Sequence, residues 1–443
     1  MKNNAILALD LGTTKVTAIV AQNDLNNRIN ILGVGNCASN GINKGTIVDI
    51  DLASNTIQEA ITLATQSSDA IITSTFISIS GTDVRSIRSD GAVNVQSGQV
   101  THNEINQVLQ MALYHGNIIP DYEVIHVLPL YFKIDDSNEI INPLNMHGSR
   151  LEVYTNIVTV KKTALVNIQN ALRKSNLEEV NFVLDGYASA IAVLEDDQRR
   201  VGTTVCDLGG STSEITIFKG QTITYSDFIP IGSEHITNDL SIILHTPYNA
   251  ANMIKNQYAS LLPVEANDSA ISKVKIPLLG NETQTKEIPL VQIQPIIHAR
   301  IEELLCLVKN KIDSSHMSEN MDGGLVLTGG LSHIKGLKEL AQQIFPNIPV
   351  KIANPIAIQN GYIDFNNPTM STIAGLLRYA LDSDPVFELD SNKKLRKKEE
   401  VEEVIEEEDE NNIILQDKDD ITAIEISQQK KKSSFFDIIG KWL

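Results

Sequence analysis

Two short runs of this 443-residue chain carry the same chemical groups in the same order. The first places Asp10, Gly12, Thr13, Thr14 and Lys15 behind the apolar run Ile6–Leu9. The second places Asp207, Gly209, Gly210, Ser211 and Thr212 behind Thr204–Cys206. These residue types suit a polyphosphate. Glycines let backbone N–H groups approach its oxygens, and the hydroxyls of Thr13, Thr14, Ser211 and Thr212 add donors. Asp10 and Asp207 would repel phosphate directly. They fit if a Mg²⁺ ion with its waters lies between. A third run ends the apolar stretch Leu325–Thr328 in Gly329, Gly330 and Leu331. Its Gly-Gly turn lets backbone lie against a flat ring or a sugar-phosphate.

The elements that must hold these groups are short and local. Each Asp-Leu-Gly run follows an apolar strand and precedes a β-rich run, Val16–Val20 or Ser213–Phe218. That pattern predicts a hairpin with a tight turn. Two such hairpins facing each other would clamp one nucleotide between two similar halves. Past the Gly-Gly turn, Leu337, Leu340, Ala341 and Ile344 recur at helical spacing, which predicts strand, turn, helix.

In this order and spacing the three elements resemble the nucleotide-binding signature of the actin and heat-shock-70 ATPase superfamily. Val183–Leu194, rich in alanine, resembles the superfamily's connecting helix. Other runs narrow the likeness. Ile79–Val84, Ser89–Val93, Val124–Pro129, Asn142–Leu144 and Gly148–Leu151 resemble the inserted subdomain of the FtsA family of bacterial cell-division proteins. Gly232–Leu240, Thr246–Lys255 and Pro368–Leu377 resemble later stretches of the same family. The likeness spans roughly residues 5–380.

The resemblance implies an α/β chain with the actin-like ATPase fold. Two similar lobes would each have a βαβ-type core, with an FtsA-type inserted subdomain and a C-terminal amphipathic helix. It implies subdomain 1A at 1–83 and 160–200, inserted subdomain 1C at 84–159, 2A at 201–232 and 312–385, and 2B at 233–311. ATP and Mg²⁺ would be the cofactors, with Gly232, Asn252 and Lys255 joining the nucleotide-binding residues. Asp185 lies near the position of a catalytic carboxylate in heat-shock-70-like ATPases, although Gly186-Tyr187 replaces the usual proline-containing continuation. Asn252 stands where the family usually has a Glu that accepts from the ribose; Asn accepts without charge, so that contact is weaker. Both departures imply a nucleotide-dependent switch, at most a slow ATPase. The implied partners are the C-terminal tail of the tubulin-like GTPase FtsZ, bound on 2B with Arg300 at the surface, further copies of the chain in a polymer, and later division proteins through 1C. The implied location is the cytoplasmic face of the inner membrane at the division site.

Composition is compatible. The net charge of −19 argues against a nucleic-acid partner. Cys37, Cys206 and Cys306 have no paired spacing and read as small, at least half-buried side chains, and the nine histidines form no metal-binding cluster. The apolar run Ala5–Leu11 is too short for a signal peptide and contains Asp10.

Charge locates a boundary. Residues 386–429 hold 15 acids against 6 bases and read as a disordered acidic linker. Residues 430–443 then change character. Lys430, Lys431 and Lys432 precede Phe435, Phe436, Ile438, Ile439, Trp442 and Leu443, which as a helix share an arc of about 160°. Basic residues before an apolar stripe predict an in-plane helix on an anionic membrane surface. A superfamily sugar or acetate kinase would need no such helix, and an actin-like pilus-assembly protein usually lacks one.

Overall fold

The computed structural model describes residues 4–24, 26–80, 84–220, 222–262, 273–315, 321–358, 363–381 and 387–396. The expected membrane helix at 430–443, all of the expected linker except 387–396, and Gly81–Asp83 of the inserted-subdomain motif lie outside them.

The internal repeat seen in the motifs extends to whole sheets. Strand β1 (Asn4–Leu11) turns back into β2 (Lys15–Asn23) and β3 (Ile29–Ala38) as an antiparallel meander. Strands β6 (Ile71–Ile79) and β10 (Asn181–Leu184) add in parallel, giving the order β10-β6-β1-β2-β3. The second sheet repeats this. Strands β11 (Thr203–Leu208), β12 (Ser213–Lys219) and β13 (Thr222–Ile229) form the meander. Strands β16 (Leu325–Thr328) and β17 (Val350–Ile352) add in parallel, in the order β13-β12-β11-β16-β17. The central strands read as continuous apolar runs because both faces of each sheet are covered. Helix α1 (Ile50–Thr65) covers one face of the first sheet, started by Asp49, whose carboxylate accepts from the N–H groups of Asp51 and Leu52.

Two units are inserted in the repeat. Between β6 and β10 lie a ribbon and a helix: β7 (Val84–Asn94), β8 (Tyr122–Ile134) and β9 (Arg150–Lys161) pair as β7-β9-β8, and α2 (His102–His115) packs on them. Helix α3 (Lys162–Lys174) leads back to the first sheet. Between β13 and β16 lie α6 (Ser233–Ile243), α7 (Tyr248–Tyr258), the hairpin β14 (Lys273–Leu278) with β15 (Asn281–Pro289), and α8 (Leu290–Ser314). The remaining elements are the small hairpin β4 (Ile42–Asn43) with β5 (Thr46–Ile47), α5 (Asp196–Val201) and α9 (Leu337–Ile344). Among the described residues, no helix is long and apolar enough to cross a membrane. Cys37 and Cys206 are buried, but Cys306 on α8 is exposed, against the sequence expectation.

The halves are joined by exchanged helices. Helix α4 (Asp185–Val193) follows β10 of the first sheet yet packs on β11 and β12 of the second. Helix α10 (Ser371–Leu381) packs on β1, β2 and β6 of the first. The two helices cross at backbone contact: a Cβ on Gly375 would stand 1.8 Å from the carbonyl oxygen of Ala188.

Residues 387–396 correct the linker boundary. The sequence reading begins the linker at 386, but this segment folds. Phe387 and Leu389 are buried in the core of the inserted unit, and Leu389 exchanges both backbone hydrogen bonds with Val127. Its Glu388 is fully buried; desolvation raises the carboxyl, but the Arg396 charge, the nearby His126 ring and a hydrogen bond from Tyr379 bring it down to about 2. Pairing of acid with base inside the segment offsets the cost of burying its charges.

Overpacking a core contact costs about 1–3 kcal/mol, and more where backbone itself must separate. Gly375→Ala is therefore expected to lower the unfolding free energy by about 3 kcal/mol. Urea denaturation checks this; an unchanged midpoint would show that α4 and α10 part without cost.

Candidate functional site

The two Asp-Leu-Gly hairpins adopt the same geometry and face one cavity of about 240 Å³. Leu11 pairs with Val16 and Leu208 with Ser213, so each turn has four residues, 12–15 and 209–212. The equivalence is atomic. A Cβ on Gly12 would lie 2.8 Å from the Lys15 carbonyl oxygen, and one on Gly209 would lie 2.8 Å from the Thr212 carbonyl oxygen. Any side chain at either glycine would open its turn. Gly210 faces the opposite hairpin: its Cβ would meet the Thr14 methyl at 2.7 Å.

Of the residues singled out from sequence, Asp10, Gly12, Thr13, Thr14, Lys15, Asp185, Asp207, Gly209, Gly210, Thr212, Gly329 and Gly330 line this cavity. Gly329 needs its φ of +84°, and a Cβ there would strike Asp207 at 2.2 Å. The turn after β16 is a short 3₁₀ segment, Gly330–His333, and the expected helix starts later, at Leu337.

The other five stand behind the wall. Ser211 is buried and donates to Glu234, 2.5 Å away. Gly232 caps α6, whose first N–H groups, from Ser233 and Glu234, donate to the carbonyls of Gly209 and Gly210 at 3.0 and 2.8 Å. Lys255 donates to the Ser233 carbonyl at 3.3 Å, and burial lowers its pKa. Asn252 accepts from Thr237 at 3.5 Å, and Leu331 belongs to the second hydrophobic core. These residues brace the second hairpin.

Four carboxylates surround the cavity: Asp10, Asp185, Asp207 and Glu214, against Lys15 as the one basic residue of its described lining. Burial raises the Asp10 carboxyl, opposed by Lys15 and by a hydrogen bond from Ser78 at 3.0 Å. Burial raises Asp207 to about 6, despite hydrogen bonds from Ser189 and Thr372. Asp185 is pushed well up, by burial first and then by Glu214, Asp10 and Asp207, and its buried Oδ1 has no hydrogen-bond partner. Such a concentration of desolvated acid suits a hard divalent cation. No three acidic, histidine or cysteine groups among the described residues converge to hold an ion directly, so water must complete any coordination shell.

Sequence reasoning missed Glu214, Ser80 and Thr372. Glu214 sits opposite Asp207 in the β11–β12 pairing and accepts from Ser80 at 2.6 Å. A lone acid inside an apolar hairpin strand was the available signal. The chemistry of the cavity is binding of an anion with its cation, beside two further carboxylates able to orient a water.

Arg300 is placed on α8 but is already engaged. Its guanidinium grips Asp239 of α6 with two bonds, at 2.6 and 2.9 Å, and Glu303 at 2.6 Å. It clamps two helices of the second inserted unit.

Comparison with known proteins gives a consistent assignment. A family model described as cell division protein FtsA matches residues 204–375, and one described as the SHS2 domain inserted in FtsA matches residues 81–159. The chain is 32% identical to the cell division protein FtsA of Helicobacter pylori over 418 residues, covering 88% of this chain and 85% of that protein. It is 34% identical to that of Pseudomonas aeruginosa over 377 residues, covering 85% and 89%. Solved structures share the actin-like fold at low identity. A PilM–PilN type IV pilus biogenesis complex aligns with a TM-score of 0.59 at 14% identity, covering 85% of this chain and 98% of that one. MreB5 of Spiroplasma citri bound to ADP aligns with a TM-score of 0.53 at 13%, covering 86% and 100%.

Hydrogen bonds to charged groups are worth about 1.5–3 kcal/mol when buried, and less with exposure. Arg300→Ala is expected to lower stability by about 1–2 kcal/mol, and Arg300→Glu by more, through repulsion from Asp239 and Glu303. Denaturant titration measures both; equal stability of the three proteins would show that the clamp contributes nothing.

Proposed function

The chain belongs to the FtsA family of actin-like cell-division proteins, and on that premise we propose that it binds ATP with Mg²⁺ in the cavity between its hairpins and polymerises on the cytoplasmic face of the inner membrane. There it holds the FtsZ ring through that protein's C-terminal tail and recruits later division proteins through the inserted unit at 84–159. The observation that carries the nucleotide reading is the pair of turns of matching register, 12–15 and 209–212, with the buried Asp10 beneath one and the half-buried Asp207 beneath the other. The fold relative from Spiroplasma citri was solved with ADP, which supports the same use of the cleft here.

Each residue then has a task. The amides and hydroxyls of Gly12, Thr13, Thr14, Gly209, Gly210 and Thr212 receive phosphate oxygens, with Lys15 adding a charge. Asp10 and Asp207 would hold Mg²⁺ through water, and the ion would supply charge neutralisation there. Asp185 and Glu214 are within the same cavity and orient a water. Burial first, then Glu214, Asp10 and Asp207, raises the Asp185 carboxyl, which strengthens it as a proton acceptor when ionised. Gly329 and Gly330 let the backbone lie along the nucleotide.

The partner and membrane assignments rest on the family and on the charge pattern. The FtsZ tail would dock on the unit at 233–311 beside Arg300. Residues 430–443 would anchor the chain. Six apolar side chains contribute roughly 1 kcal/mol apiece at an interface and the three lysines about 1 kcal/mol each near anionic lipid, less the ordering of the helix, so one copy binds at about micromolar strength. A polymer multiplies that by avidity, which makes membrane attachment follow assembly.

Two measurements test these readings. Gly210→Asp sets a carboxylate against phosphate and against Thr14, and is expected to abolish ATP binding in calorimetry; undiminished affinity sinks the cleft assignment. Truncation after Gln429 is expected to abolish co-sedimentation with anionic liposomes while leaving ATP affinity unchanged. Pelleting of the truncated chain at the wild-type level would show that the anchor lies elsewhere.

A further inference from the structure

Glu388 of the folded hairpin 387–396 is the meeting point of both exchanged helices. Tyr187 of α4 donates its hydroxyl to Glu388 Oε2 at 3.1 Å, and Tyr379 of α10 donates to Oε1. Arg396 pairs with the same Oε1 at 3.1 Å and lies over the Tyr379 ring, 3.6 Å from its centroid. His126 of β8 closes the site: its Nε2 accepts from the Leu184 N–H at 3.2 Å, and its Nδ1 points towards Oε1 at 3.7 Å. All five side chains are buried or nearly so.

The same two helices carry the cavity. Asp185, the first residue of α4, lines it, and Ser189 donates to Asp207. Thr372 of α10 lines it too. Tyr187 therefore lies between two cavity residues, and Tyr379 lies two turns beyond the third. On the other side, the hairpin is fastened independently. Leu389 pairs with Val127, Ser391 accepts from the Phe182 N–H at 2.9 Å, and Lys393 pairs with Glu123. The described chain ends at Arg396, whose guanidinium is part of the cluster.

We propose that the hairpin 387–396 is a latch that couples the chain beyond Arg396 to the nucleotide cleft, with Glu388 holding α4 and α10 through Tyr187 and Tyr379. A force or partner acting on the residues that follow Arg396 pulls first on Arg396 and Glu388. Loss of their grip frees the two helices that present Asp185, Ser189 and Thr372. Coupling of this kind is reciprocal: filling of the cleft must tighten the hairpin by the factor by which the hairpin tightens the cleft. The coupling rests on the reading of the cavity as the nucleotide cleft, while the mechanical link between hairpin and helices is tested on its own by exchange.

Tyr187→Phe in the full chain removes one hydroxyl and leaves the packing in place. Hydrogen exchange is expected to accelerate about tenfold both at 185–193 and at 387–396, with no change along α8 (Leu290–Ser314). ATP affinity is expected to fall about fivefold, and ATP should slow exchange of the Leu389 amide by a similar factor in the wild type. Glu388→Gln should give the same pattern more strongly. Exchange at 387–396 and at 185–193 that stays at the wild-type rate in both variants overturns the latch. A tyrosine serving only local packing would loosen α4 alone, leaving the hairpin unmoved, and that result also overturns it. Failure of the wild type to bind ATP would remove the cleft reading, while the exchange comparison still decides the latch.

Discussion

Helices α4 and α10 cross with the Gly375 Cα against the Ala188 backbone, and the architecture depends on that contact. Each helix starts at the cavity and packs on the sheet of one half while contacting the other half's helix. A side chain at 375 would push the axes apart and move Asp185, Ser189 and Thr372 with them. Close crossing also explains the alanine-rich face of α4: at Ala188 and Ala192, both wholly buried, there is no room for longer groups. Small residues here serve a packing geometry in which the core of the first half extends onto one face of the second sheet, at Val205, Phe218 and Val326.

The cavity adds an electrostatic constraint. Burial of four carboxylates costs free energy unless something positive is nearby. Lys15 offsets part of it, and its ammonium is itself held by the Thr369 carbonyl at 3.0 Å, at the N-terminal approach to α10. Hydroxyls from Ser78, Ser80, Ser189 and Thr372 take up individual oxygens. The remaining demand, concentrated on Asp185, is what a cation and its waters would satisfy. The cavity thus sets two opposed groups side by side, hydroxyl and amide donors on the turns and acids beneath them.

The parts of this fold legible in the sequence are those governed by local chemistry. The turns at 12–15 and 209–212 need their glycines whatever surrounds them, so the motif alone announces the hairpins. The cleft partners arriving from other strands were not legible that way: Ser80 comes from the end of β6 and Thr372 from the start of α10. Glu214 was within reach, one strand away from Asp207, but an acid in a β run was read as part of the pattern. The hairpin 387–396 was hidden by averaging. A long acidic stretch beyond it dominates the charge count, while Phe387, Leu389 and the Glu388–Arg396 pair occupy few positions. Leu331 and Ser211 follow the motifs in sequence yet turn inward, because alternate residues of a turn cannot all face one cavity.

The engagement of Arg300 has a consequence for adhesion. A peptide carboxylate arriving at this guanidinium meets one that already holds Asp239 and Glu303. Docking is then an exchange of one ion pair for another, with little change in their number. Such a swap contributes selectivity for the incoming acid but little net attraction, and it is only weakly sensitive to salt. The grip would have to come from apolar contact instead, and Ile242 and Ile243, at the end of the same α6, are 61% and 57% exposed. A surface of that kind releases readily.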